Sequence, residues 1–129
     1  MPEPRIVVKQ AYEPREPRDG IRALVDRLAP RGLPKRKASW DQWLKILAPS
    51  TELRRWYGHD PERFPDCTRR YRGELRRAVA RDARASLARG RGTLTLLTAT
   101  RDLQHSEAAV LAARLQRSAS VKRQRWQGK

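Results

Sequence analysis

Residues 21–32, IRALVDRLAPRG, pass from apolar alternation straight into charge, and no other stretch constrains the fold as much. Ile21 to Leu28 reads as a short buried strand, and Asp26, Arg27, Pro30, Arg31 and Gly32 mark where the chain leaves the core. In an open α/β sheet, ligands bind outside the carboxyl ends of the strands. Charge placed at such an end predicts a polar, anion-friendly edge.

Two further strands frame this one. Arg5 to Tyr12 carries β-branched Ile6, Val7 and Val8, and Gly92 to Thr98 interleaves Thr93, Thr95 and Thr98 with leucines. The third strand also ends in polar groups, Thr100, Arg101 and Asp102. Between the first two strands, Pro14, Pro17 and the Asp19-Gly20 pair exclude a helix and predict an extended loop and turn. That loop is short for a parallel crossover, so sequence rules leave the direction of the first two strands open.

Elsewhere the period is helical. Trp40, Trp43, Leu44 and Leu47 fall at i, i+3, i+4 and i+7, Ser39 and Gln42 have the spacing of a capping box, and Pro49 would end the helix. An aromatic stripe of this kind belongs to a core rather than to a base-stacking platform. Ser50 can cap a short helix that Gly58 closes, and Asp60 followed by Pro61 opens the next segment. Pro65 is tolerable only in a first turn, so a regular helix starts near Phe64 or Pro65 and keeps its spacing through Cys67, Tyr71, Leu75 and Val79. Asp82 can cap a further turn ended by Gly90. The last helix is expected from about Ser106 to Arg117, with Ala108, Leu111, Ala112 and Leu115 as its buried stripe.

A chain of 129 residues holds one modest core. The expected architecture is α/β: a small, three-stranded, largely parallel sheet packed by about four helices, one domain over residues 1–117. A basic, flexible tail is expected over residues 118–129. The single cysteine, Cys67, excludes an intramolecular disulfide, suits a reducing compartment and sits at an apolar helical position, as a structural thiol would. No stretch has the apolar length of a signal-peptide core or a membrane helix, so the expected location is the cytoplasm. Walker-type, GxGxxG, GxSxG, HExxH and zinc-finger spacings are absent, and no cofactor or metal is expected.

The formal charge is +16, with 30 basic against 14 acidic residues, and such a field attracts phosphate. Parallel pairing of the second and third strands would bring Asp26, Arg27 and Arg31 beside Arg101 and Asp102. The leading expectation is therefore a small anionic ligand, phosphate-bearing or nucleotide-like, held at that edge by Arg27, Arg31 and Arg101. Ser50 and His105 would assist, Ser50 through the free N–H groups of a helix start. Asp26, His59 and Asp102 are candidates for orienting these groups or moving protons. Alternatively, Asp26–Arg27 and Arg101–Asp102 are ion pairs that fix loops. A rival expectation is nucleic-acid binding through Arg69, Arg70, Arg76 and Arg77 and the tail residues Lys122, Arg123 and Arg125.

The segments VDRLAPRG, WLKILAPSTELRRWYGHDPERF, RRYRGEL and LLTATRDLQHSEAAVL resemble the YeaO-like branch of the bacterial domain-of-unknown-function family 488, over about Arg5 to Leu115. The resemblance implies a small α/β domain and no established activity. Matching positions include Asp26 to Leu28, Pro30 to Gly32, Trp43, Leu44, Ala48 to Ser50, His59 to Pro61, Arg101, Asp102 and His105. Ala29, Thr98 and Ser106 stand where the resemblance implies tryptophan, tyrosine and asparagine, all at the proposed edge.

Overall fold

A computed structural model describes residues 5–33, 40–88 and 92–127. Four parallel strands form one sheet: β1 (Arg5–Gln10), β2 (Ile21–Leu24), β3 (Gln42–Trp43) and β4 (Thr93–Thr98), in the spatial order β1-β4-β2-β3. Arg5 to Gln10 pair with Thr93 to Thr98, and Ile21 to Leu24 pair with Leu94 to Leu97. β4 is the strand that binds the sheet together. The first two strands are parallel, and they manage it with a short connection because that connection is packed rather than slack. It crosses one face of the sheet, where Thr95 Oγ1 donates to the Asp19 carbonyl at 2.8 Å. Gly20 ends the crossing at φ +62°, so close to β4 that a Cβ would lie 2.2 Å from the Thr93 carbonyl oxygen.

Two corrections to the sequence reading concern β2 and β3. The strand expected to reach Leu28 ends at Leu24, although Val25 N–H still donates to Leu97 O at 3.1 Å. The helix expected over Trp40 to Leu47 is instead the fourth strand, Gln42–Trp43, followed by a single tight turn at Lys45–Leu47. Pairing overrides periodicity here. Asp41 N–H donates to Arg22 O at 2.7 Å, Leu44 N–H donates to Leu24 O at 2.8 Å, and the Trp43 indole donates to Asp26 O at 2.7 Å. Trp40 and Trp43 remain core residues, packed edge to face at 6.2 Å against Leu24, Leu97 and Ala11. Ser39 and Gly90, read as a cap and a helix end, lie outside the described residues.

The larger core lies on the opposite face. Ile6, Val8, Ala23, Val25, Leu94 and Leu96 meet α1 (Thr51–Tyr57), α2 (Phe64–Leu75), α3 (Ala78–Ala88) and α4 (Glu107–Gln127) through Leu53, Tyr57, Cys67, Tyr71, Leu75, Ala80, Leu111 and Leu115. Alternation along β4 divides Leu94 and Leu96 from Thr95 and Leu97, as the period of a strand requires. α1 behaves as read: the Ser50 side chain accepts from Leu53 N–H, and Gly58 closes the helix in the left-handed conformation. The expected run from Phe64 through Val79 is two helices, because Arg76 and Arg77 close a tight turn onto Gly73 O and Glu74 O before α3 begins. Asp82 lies within α3 instead of capping a separate turn. α4 continues beyond Arg117 to Gln127, so the segment read as a tail is helical over 118–127.

The non-helical face holds a buried ion cluster. Arg22, fully buried within β2, donates to Asp19 Oδ2 at 2.7 Å and to Glu13 O at 2.8 Å, while Lys9 Nζ donates to Asp19 Oδ1 at 2.6 Å. The Lys9 ammonium, Glu16 N–H and the Arg22 guanidinium hold the Asp19 carboxyl down at about 2. A charge in a strand interior is tolerable only when satisfied in this way.

Candidate functional site

Beyond the carboxyl ends of β2 and β4 lies a cleft of about 600 Å³. One wall is the segment from Val25 to Arg31, and the facing wall is Thr98 to Asp102. Arg54 and Tyr57 of α1, His59 after it, and Glu107 at the start of α4 also line it, with Tyr12, Pro49 and Ala108. The two acid and arginine clusters read from the strand ends therefore do meet at one edge.

Within it the residues divide by what they already bond. The Asp26 carboxylate accepts from Thr98 Oγ1 at 2.7 Å and Ala99 N–H at 2.8 Å, tying the two strand ends together. Burial raises its pKa, and those two hydrogen bonds and the Arg54 and His59 charges oppose the rise. Arg27 turns toward α1 and donates to Pro49 O at 2.9 Å and Ala48 O at 3.5 Å, so its guanidinium fixes a loop. Asp102 does not pair with Arg101; its carboxylate meets His105 Nδ1 at 2.7 Å, and that contact holds its pKa down. Neither of the ion pairs considered from the sequence forms. His59 lines the cleft from a left-handed backbone, φ 57°, which a non-glycine residue rarely adopts.

Arg31 and Arg101, both exposed, line opposite walls, and neither guanidinium hydrogen-bonds a described residue. Two expected residues stand elsewhere. Ser50 donates Oγ to Glu74 at 2.6 Å while it caps α1, and it does not line the cleft. His105 sits behind Asp102 with its ring edge-on to Phe64. Of the residues named for nucleic acid, Arg69 pairs with Asp66, Arg70 lies 4.2 Å over the Trp56 ring, and Arg76 and Arg77 are exposed. Lys122, Arg123 and Arg125 fall in the last turns of α4, where only the backbone is described.

Sequence reading missed two cleft residues. Arg54 is half-buried on α1, and its guanidinium hydrogen-bonds no described residue. Glu107 is half-buried at the first position of α4, and its Oε2 is buried with no hydrogen-bond partner. Burial pushes the Glu107 carboxyl up to about 7; Arg54 opposes this, and the negative charges of Asp26 and Glu74 reinforce it. Both lie on helices away from the strand ends, and the only sequence signal was their closeness to the Ser50 and Ser106 caps. Among the described residues, no three His, Cys, Asp or Glu side chains gather as a metal site would require. No helix among them is long and apolar enough to cross a membrane.

The positions that depart from the family resemblance have definite places. Ala29 is exposed on the cleft wall, Thr98 holds Asp26, and Ser106 Oγ accepts from Ala109 N–H at 3.1 Å as the α4 cap. The whole defines a class: a one-domain parallel α/β protein, helices on one face, with an arginine-bearing cleft at the carboxyl edge. The chain belongs to the DUF488 family, matching over residues 5–127 the group described as the inactive DUF488-N3 subclade. It is 46% identical over 110 residues to the uncharacterized protein Rv3073c of Mycobacterium tuberculosis, covering 85% of this chain and 92% of that one. It is 36% identical over 107 residues to the uncharacterized protein YeaO of Escherichia coli, covering 83% and 93%. No solved structure matches it.

Proposed function

We propose that the cleft binds a small anionic ligand carrying phosphate, such as a nucleotide. The observation that carries this reading is that Arg31, Arg54 and Arg101 line one cleft and their guanidinium groups hydrogen-bond no described residue. By contrast, three arginines on the other face and its loops are occupied: Arg15 pairs with Asp41, Arg18 with Glu16 and Arg22 with Asp19. Guanidinium groups left open in a concave site suit the bidentate recognition of phosphate. The cleft volume of about 600 Å³ is within the range of pockets that enclose a nucleotide-sized molecule.

Arg31 and Arg101 supply the anion contacts expected from the sequence, Arg54 adds a third, and Arg27 supports the wall. The carboxyls of Asp26 and Glu107 share the cleft with the anion. Glu107 is neutral below about 7, so the anion binds better in mildly acidic solution. His59 faces the ligand, and Asp102 holds His105 in place behind it. This reading sets the protein in the cytoplasm, where such ligands are plentiful.

Isothermal titration with inorganic phosphate and with nucleoside mono-, di- and triphosphates tests it. At least one of them binds, and Arg31→Ala or Arg54→Ala weakens it by roughly 10- to 100-fold, the exposed Arg31→Ala with an unchanged melting temperature. Failure of all of them to bind, or affinity unchanged in both variants, refutes the reading.

A further inference from the structure

A second concave site lies between α2 and α4. Arg72 and Arg76 on α2 and Arg114 and Arg117 on α4 line a hollow of about 210 Å³. None of these guanidinium groups hydrogen-bonds or ion-pairs with a described residue. The acids of α2 are engaged elsewhere, Asp66 with Arg69 and Glu74 with Ser50. Behind Arg114 stands Arg84 of α3, only 8% exposed, with Nη1 buried and no hydrogen-bond partner among the described residues. Burial, then the positive charges of Arg114 and Arg81, lower its pKa. The fold therefore gathers like charges, one of them buried, with no counter-ion among the described residues. A buried, unpaired cation is costly unless something neutralises it.

The hollow lies away from the cleft, since Arg114 and Arg117 stand roughly 10 and 15 Å along the α4 axis from Glu107. It is also smaller than the ~300 Å³ at which pockets enclosing a whole small molecule begin. It has room for phosphate groups but not for what those phosphates are attached to. α4 carries the same charge onward through Lys122, Arg123 and Arg125. A phosphate polymer fits both features, its backbone entering the hollow and continuing along the basic helix.

We propose that Arg72, Arg76, Arg114 and Arg117 seat adjacent phosphates of a nucleic-acid backbone, with the strand running on along the C-terminal part of α4. Recognition is of the backbone, so binding is insensitive to sequence and steeply dependent on salt. Arg84, whose charge is felt by Arg114, adds to the positive potential.

The test is fluorescence anisotropy of the full chain with a labelled oligonucleotide, single-stranded and duplex, across a salt titration. The four phosphates seated in the hollow alone contribute about −3 for a single strand and about −3.6 for a duplex to the slope of log K against log salt, and contacts further along α4 steepen it. Arg72→Gln/Arg76→Gln, both exposed positions, keeps the parent melting temperature and flattens the slope by about 1.4 for a single strand and about 1.8 for a duplex. Arg31→Ala leaves this binding unchanged, which separates it from the cleft. No oligonucleotide binding at low salt overturns the proposal, and so does binding whose slope the double variant leaves intact. Binding of inorganic polyphosphate or anionic vesicles with no oligonucleotide binding overturns the choice of occupant.

Discussion

Replacing Glu107 with Gln changes the pH dependence of stability in a way that the cleft geometry fixes in advance. Glu107 stands where a helix N-terminus favours negative charge, and Arg54 favours it too, yet burial wins and raises the carboxyl from 4.5 to about 7. A carboxyl that holds its proton more tightly folded than unfolded stabilises the fold while protonated. That contribution is fully present below 4.5 and is lost as pH rises through about 7. At ~1.36 kcal/mol per pH unit, the loss across this window comes to about 3 kcal/mol, or roughly 10 °C in melting temperature. Glu107→Gln removes the titration. Parent and variant should match near the acid end of the window, and the variant should be the more stable by about 3 kcal/mol above it. Urea denaturation of both proteins from about pH 4 to about pH 8 measures the difference directly, and titrating groups that do not interact with Glu107 cancel in the comparison. A gap between the two that does not change with pH, or a parent that is the more stable at the alkaline end, refutes the reasoning.

Other predictions rest on different parts of the fold. Asp19→Ala strips the buried Arg22 and Lys9 of their shared carboxylate and should cost about 3–5 kcal/mol in urea denaturation. Gly20→Ala places a Cβ against the Thr93 carbonyl in a left-handed backbone and should cost ~2 kcal/mol or more, read as a lowered melting temperature. The Cys67 thiol is fully buried and pushed up to about 12 by that burial, so a thiol reagent at mildly alkaline pH should label it only after denaturation.

What the sequence made legible was what local rules govern. The Thr93 to Thr98 strand, the Ser50 and Gly58 helix ends, and the meeting of Asp26 with Arg101 at one edge followed from alternation, capping and charge at strand ends. Trp40 to Leu47 misled because its apolar spacing is helical while its backbone pairs with the edge of β2. Arg22 was invisible as a core residue: nothing local announces that Asp19, three positions earlier, will be buried with it. Arg27 and Ser50 carry groups suited to an anion, but Pro49 O and Glu74, distant in sequence, take them first. Arg54 and Glu107 reach the cleft by the tilt of two helices, which only the assembled core determines.

The position of β4 bears on how the molecule is made. β4, an interior strand of the sheet, is the last strand among the described residues, and β1 and β2 meet only through it. A ribosome-bound chain stopped before Gly92 has its first strand without a neighbour and its second joined only to the two-residue β3. Sheet formation must then await the synthesis of β4, and its closing step joins residues 88 positions apart, Arg5 with Thr93. Such long-range closure places folding toward the slower, millisecond-to-second part of the range for small domains. Until then the apolar β1 and β2 are exposed, and chaperone capture of the nascent chain should end once β4 has left the exit tunnel.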